Sequence, residues 1–226
     1  MKYKAVIFDL FGTLVDIAPV QEKEEVLRQM ASILAAPPDE FIKQWTTTFA
    51  MRVKGEFPDY QANIRYMCQQ LGVPFEDNQL ECAAELRINL DKNELRPRKG
   101  AIKVLSYLKS HGYKTGLISD CSVLVPAVWE DTSFGKLIDV TVFSCSIKVQ
   151  KPHPSLYRLA VEQLALLPQD CIYIADGMSG ELKGALEAGM QAVRIQTRHD
   201  DLTNPYREEW DVPVISSLTE ILTLLE

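Results

Sequence analysis

Residues 3–16 read YKAVIFDLFGTLVD, and this stretch decides the fold. Tyr3 to Phe8 is a short apolar run, β-branched at Val6 and Ile7, that stops at Asp9. That is the pattern of a buried strand ending on a carboxylate. Gly12 and Thr13 then mark a turn. From Pro19 to about Leu90 the apolar residues recur at helical spacing instead. A helix over Gln21–Ala35 places Val26, Leu27, Met30, Ile33 and Leu34 on one stripe. After the Pro37-Pro38-Asp39 break, Phe41, Trp45 and Phe49 follow at i, i+4 and i+8, the spacing of a buried face. A third helix opens at Pro58-Asp59, carries Ile64, Met67 and Leu71, and stops at Gly72; a fourth, weaker one runs from Glu76 to Leu90. A single strand before an all-helical block has to find its partners further along the chain.

Those partners lie in the second half. Strands are expected over Tyr113–Ser119, Val140–Ser144, Cys171–Ala175 and Gln191–Ile195. Helices are expected over Arg98–His111, His153–Leu166, Gly180–Ala188 and Ser217–Leu225, the last opened by Ser217 and Glu220 at capping-box spacing. Strands alternating with helices imply an α/β fold, a doubly wound, Rossmann-like parallel sheet. The first strand belongs to that sheet, so the helical block is an insertion. The expected division is an α/β core domain of residues 1–17 and 95–226, with a helical domain of residues 18–94 inserted after the first strand.

Composition agrees. At about 150 residues per domain, 226 residues suit one domain with a substantial insertion. Hydrophobic residues at 46% and charged residues at 24% exclude a disordered or fibrous chain. Lys and Arg total 24 against 31 Asp and Glu, a net charge of −7, which attracts neither nucleic acid nor an anionic membrane. An anionic ligand must therefore be held by local groups. Asp9 interrupts the N-terminal apolar run, which is too short for a signal or a membrane span. The five cysteines, none at C-x-x-C spacing, read as reduced thiols in a cytoplasmic protein.

In an open parallel sheet, ligands bind beyond the carboxyl ends of the strands. Asp9 ends the first strand, Ser119-Asp120 the second and Asp176-Gly177 the fourth, with Glu181 five residues on; Lys151-Pro152 follows the third. One rim thus collects carboxylates for a divalent metal and a lysine and hydroxyls for an anion. With their order and spacing, VIFDLFGTLVD (6–16), GLISD (116–120), KPHPSLY (151–157) and YIADGMSGELKGALEAGM (173–190) resemble the four motifs of the haloacid dehalogenase-like (HAD) hydrolases. The helical block sits where that superfamily carries its first type of cap.

The resemblance implies a hydrolase in which Asp9 is the nucleophile and becomes an aspartyl phosphate. It implies Mg²⁺ as cofactor, held by Asp9, the Phe11 carbonyl oxygen and Asp176, with Glu181 acting through a metal-bound water. Lys151 would offset the negative charge, and Thr13, Ser119 and the backbone N–H groups of Gly12 and Asp120 would cradle the phosphate. Asp120 departs from the Asn or Thr usual there, so only its backbone is carried over. The expected partner is a small phosphorylated metabolite bound by a monomer or homodimer, with neither nucleic acid nor membrane involved.

One residue breaks the pattern. Phosphatases of this type carry a second Asp, the acid and base, where this chain has Phe11. General acid–base catalysis contributes roughly 10²- to 10⁴-fold, so its loss matters. Haloacid dehalogenases also carry an aromatic there, but have Ser in place of Asp176 and Asn in place of Met178. Phosphonate cleavage would need a cap lysine, such as Lys43 or Lys54. The favoured expectation is a Mg²⁺-dependent phosphohydrolase with a weakened or relocated acid, suited to good leaving groups; the alternatives are a dehalogenase-type hydrolase or a phosphate-binding module with little turnover. Arg52, with Lys54 and Gly55 in a basic, flexible stretch, is the candidate cap contact with substrate. Trp45 with Phe41 and Phe49 reads as packing, as does Tyr157; His153 reads as surface, and Arg96, Arg98 and Lys99 as a solvated hinge.

Overall fold

Four residues, Ala5–Phe8 (β1), form the axis of the sheet. All are buried and they alternate faces: Val6 and Phe8 enter one hydrophobic cluster, Ala5 and Ile7 the other. The protein, seen in a computed structural model that describes residues 2–197 and 211–225, carries a six-stranded sheet of order β3-β2-β1-β4-β5-β6. Every pairing is parallel. After β1 come five helices, α1 (Val20–Ile33), α2 (Pro38–Thr47), α3 (Phe49–Val53), α4 (Tyr60–Leu71) and α5 (Asp77–Glu94). The sheet then resumes through α6 (Ala101–Ser110), β2 (Lys114–Ser119), α7 (Leu124–Val128), β3 (Val140–Phe143), α8 (Ser144–Ile147), α9 (Pro154–Leu164), β4 (Cys171–Ala175), α10 (Glu181–Glu187), β5 (Gln191–Ile195), β6 (Val214–Ile215) and α11 (Ile221–Leu224).

Strand order reverses between β1 and β4, and such a switch point opens a crevice at the carboxyl ends. Register places Phe8 level with Leu117 of β2 and Ile174 of β4. Asp9 therefore emerges one residue past the strand, its N–H donating to the Ile174 carbonyl at 2.9 Å. Burial on both faces makes the axis sensitive: Phe8→Ala should cost about 3–5 kcal/mol.

Helices α1, α2, α4 and α5 enclose a third hydrophobic cluster that includes Leu27, Met30, Phe41, Trp45, Ile64, Met67 and Leu80. The expected Phe41–Trp45–Phe49 stripe breaks after Trp45. Thr46, Thr47 and Thr48 turn their hydroxyls back onto the Ile42, Lys43 and Gln44 carbonyls at 3.1, 2.9 and 3.1 Å, and α2 ends. Phe49 begins a separate short helix and is 48% exposed. The fourth expected helix is longer than its pattern: α5 runs on to Glu94, opened by a capping box between Glu76 and Gln79. At the other end, Ser217–Leu225 is not one capped helix. A 3₁₀ turn precedes α11, and the Glu220 carboxylate accepts from Ser216 at 2.6 Å instead of closing a box on Ser217. Residues 198–210 of the expected core range lie outside the described residues.

The helical block also touches the sheet domain directly. The Ser144 hydroxyl donates to the Val53 carbonyl at 2.6 Å. Beside it, a Cβ on Gly55 would stand 2.3 Å from the Cys145 carbonyl, so only glycine fits.

Candidate active site

The loop after β1 is wound tightly. The Leu10 carbonyl accepts from the N–H groups of Thr13, Leu14 and Val15 at 3.2, 2.9 and 3.0 Å. Gly12 takes a φ of +83°, and a Cβ there would lie 2.2 Å from Asp176 Oδ2. Its lack of a side chain is what lets the two loops close on each other. The Gly12 N–H donates to the Val15 carbonyl at 2.9 Å, so the turn consumes the donor expected to serve a phosphate. The Asp120 N–H meets no acceptor among the described residues.

Lys151 joins the rim. Its Nζ donates to Asp9 Oδ1 and Glu181 Oε2, both at 2.5 Å, with all three side chains buried. The Asp120 carboxylate accepts from the Lys151 N–H at 3.0 Å, so the Asp120 side chain fixes the lysine loop, a task beyond the backbone role expected of it. Glu181 is engaged at both oxygens, accepting from Tyr173 Oη at 2.9 Å and from the Gly177 N–H at 3.1 Å. It holds Lys151 in place more directly than it offers a free ligand atom. Asp176 accepts from the Met178 N–H at 3.0 Å.

Oxygens of Asp9, Asp176 and Glu181 all lie within 4.8 Å of one another. Burial first, then Glu181, pushes the Asp9 carboxyl up to about 7. Burial raises Asp176 to about 6 and Glu181 to about 7. For Lys151 burial acts to lower the pKa, but Asp9 and Glu181 outweigh it and hold the ammonium charged. Three carboxyls facing one ammonium lack positive charge, and hard oxygen donors in this number suit a divalent cation. The Phe11 carbonyl accepts no backbone hydrogen bond among the described residues. Thr13 Oγ1, Ser119 Oγ and Asp120 Oδ2 are buried with no partner. Buried hydroxyls are nearly always bonded, so these are donors and acceptors awaiting a ligand.

Asp9, Phe11, Arg52, Asp120, Lys151, Asp176 and Glu181 line one cleft of about 520 Å³ between the sheet and the helical block. Gly12 and Thr13, in the loop after β1, and Ser119, the last residue of β2, are buried beside these lining residues. Phe11 is half-buried and packs on the sheet's hydrophobic cluster, with no titratable atom to offer. Arg52 is anchored on several sides. It is 8% exposed, lies on α3, and donates to the Trp45 carbonyl, Thr48 Oγ1 and Asn63 Oδ1. Arg98 is not a solvated hinge either: it donates to the Gly12 carbonyl at 2.9 Å and the Gln196 carbonyl at 2.8 Å, with Asp16 at 3.4 Å. Tyr157 packs as expected and donates to the Glu181 carbonyl, and His153 is exposed. Neither Lys43 nor Lys54 lines the cleft; Lys23 does, paired with Glu94 at 3.0 Å.

Arg87, Asp91 and Glu94 also line the cleft and escape a reading by apolar periodicity. Arg87 meets Asp91 at 2.5 Å, and Tyr60 donates to Asp91 while lying 2.8 Å from Ser122 across the cleft. Their spacing along α5, i, i+4 and i+7, is the one signal available, and a solvated helix face shows it equally.

A family model described as haloacid dehalogenase-like hydrolase matches residues 3–189. A glyceraldehyde 3-phosphate phosphatase of Pyrococcus furiosus is 26% identical over 100% of this chain and 94% of its own length. An (S)-2-haloacid dehalogenase 4A of Burkholderia cepacia is 24% identical over 98% of this chain and 94% of its own. Among solved structures, a HAD phosphatase of Thermococcus onnurineus superposes with a TM-score of 0.69 at 20% identity, covering 98% of this chain and 97% of that one.

Proposed function

The chain belongs to the haloacid dehalogenase-like hydrolases, and from that premise we propose that it is a Mg²⁺-dependent phosphohydrolase acting on a small phosphorylated metabolite through Asp9. The observation that carries this reading is the pairing of a buried carboxylate trio with unpartnered buried hydroxyls beside it. Residues 18–94 act as the cap over the cleft. An Asp9 oxygen attacks phosphorus, the new O–P bond forms, and the bond to the leaving oxygen breaks. Lys151 favours the ionised form of Asp9 against the burial that raises its pKa and neutralises charge as it builds, while Thr13 and Ser119 turn their hydroxyls to phosphate oxygens. Asp9, Asp176 and the Phe11 carbonyl would hold Mg²⁺, with Glu181 acting through a metal-bound water, and its charge would let an anion approach these carboxylates. Phe11 gives no proton, so the leaving oxygen departs as an anion. Water then attacks the aspartyl phosphate, releasing phosphate and regenerating Asp9.

The alternative favoured by a specific residue is dehalogenation, because Phe11 matches that branch and a named dehalogenase is among the relatives. Asp176 speaks against it, being a carboxylate where metal-free chemistry has a serine. A panel of phosphomonoesters, acyl phosphates and haloacids, assayed with Mg²⁺ and with EDTA, separates the readings. Mg²⁺-dependent phosphate release is expected. Chloride release from 2-chloropropionate in EDTA would replace the phosphohydrolase reading, and tight phosphate binding without turnover would favour a binding module.

A further inference from the structure

The cap wall of the cleft holds a cation that the protein does not neutralise. Its neighbours are matched, Arg87 with Asp91 at 2.5 Å and Lys23 with Glu94 at 3.0 Å. Arg52 has no carboxylate within 4.0 Å among the described residues. It is more than nine-tenths buried and lines the cleft. Its hydrogen bonds all leave from Nη1, to the Trp45 carbonyl at 2.8 Å, Thr48 Oγ1 at 2.6 Å and Asn63 Oδ1 at 3.3 Å. These acceptors are neutral, so they fix the head without cancelling its charge. The guanidinium carbon lies 3.9 Å from the centroid of the Trp45 ring, which locks its plane. The Nε–Nη2 edge meets no acceptor among the described residues. Burial, with a smaller push from Arg87, pulls the Arg52 pKa down to about 10, more than the opposing pull of Tyr60 and Asp91 restores. Buried charges are normally paired. A fixed guanidinium with a free two-donor edge on a cleft wall is a receptor for an anion.

We propose that the Nε–Nη2 edge of Arg52 binds a carboxylate at the non-reacting end of the substrate, which makes the substrate a phosphorylated carboxylic acid. The inference rests on the phosphohydrolase reading for its phosphate end. Two parallel N–H donors match the two oxygens of a planar carboxylate. A second phosphate would bring a tetrahedral group of higher charge to a single guanidinium edge, with Asp91 nearby on the same wall. Asp91 does not compete for the edge, because Arg87 and Tyr60 already occupy it. The flanking wall, Ile42, Trp45, Phe49 and Val53, is apolar, and the other cap cations that line the cleft, Lys23 and Arg87, are already paired with Glu94 and Asp91.

The test uses ω-phosphonoalkanoates of increasing chain length, each beside its carboxamide and its bisphosphonate counterpart. They are titrated by calorimetry into the Mg²⁺-loaded wild type, Arg52→Gln and Arg52→Lys. At the best-fitting length the carboxylate should bind the wild type roughly ten- to a hundredfold tighter than the carboxamide and tighter than the bisphosphonate. That ratio should collapse in Arg52→Gln and recover only in part in Arg52→Lys. Equal wild-type affinity for carboxylate and carboxamide would overturn the proposal even if Arg52→Gln fails to fold. A bisphosphonate preference, or a ratio that survives in Arg52→Gln, would overturn it as well. If inorganic phosphate and every phosphonate fail to bind the wild type, the phosphate end itself has failed and both readings fall. If the carboxamides bind as well as the carboxylates, only the role of Arg52 falls.

Discussion

On the proposed reading, Phe11 limits what Asp9 can accomplish. It lines the cleft two residues after Asp9, half-buried, with a ring that neither gives nor takes a proton. Departure of an unprotonated oxygen makes the barrier track leaving-group pKa. Acyl and enol phosphates should therefore turn over well and sugar phosphates slowly. Phe11→Asp should raise kcat/KM for alkyl phosphates by up to roughly 10²- to 10⁴-fold, with a smaller gain on acyl phosphates. Measuring both proteins over a range of leaving-group pKa decides it. A flat dependence in the wild type, with efficient alkyl phosphate hydrolysis, would mean that another residue supplies the acid, and Asp91 and Tyr60 in the same cleft would be the first to substitute.

Among the elements, the loop after β1 depends on a residue far along the chain. Arg98 ties the Gly12 carbonyl to the Gln196 carbonyl and faces Asp16. Arg98→Ala leaves two carbonyls without this donor and should cost about 1–3 kcal/mol, read from the denaturant midpoint. It should also lower kcat, because Gly12 and Asp176 are in near contact. Unchanged stability and kcat would show the tie to be dispensable. In sequence this arginine looks like a solvated hinge, because its three partners lie 82 residues before it, 86 before it and 98 after it. The sheet itself was easier to read. β4 and β5 match their expected bounds residue for residue; β4 does so because continuous burial writes an unbroken apolar run, and β5 does so although Gln191 is exposed and Arg194 interrupts its apolar residues. The two-residue β6 and the short α3 leave too few positions to show a period. The rim residues were legible because a parallel sheet brings its strand ends together whatever the loops do. The charged face of α5 was not, because only the packing of the block decides whether it meets water or the cleft.

At the scale of the whole molecule, the charge balance of the cleft couples folding to pH and, on the proposed reading, to metal. Asp9 and Glu181 titrate near 7 and Asp176 near 6 in the folded protein, above the ordinary carboxylate range, with burial the largest cause. The folded state then binds more protons than the unfolded chain between roughly pH 4 and 7. Their contribution to stability is fully present below the unfolded pKa values and is lost as pH rises through the folded ones. In EDTA, Tm should fall across that window. Mg²⁺ should raise Tm, more at the upper end than the lower, and Asp176→Asn should flatten the slope and remove most of the Mg²⁺ increment. A Tm in EDTA that climbs through neutral pH would contradict this charge balance. The nucleophile itself can be caught. The protein is mixed with a radiolabelled acyl phosphate and Mg²⁺, quenched in acid during turnover, digested, and its labelled peptide sequenced. The expected result is a hydroxylamine-sensitive phosphoryl group on Asp9, absent in EDTA and in Asp9→Asn. Phosphate release at full rate with no label on Asp9, or with Asp9→Asn as active as the wild type, would contradict it.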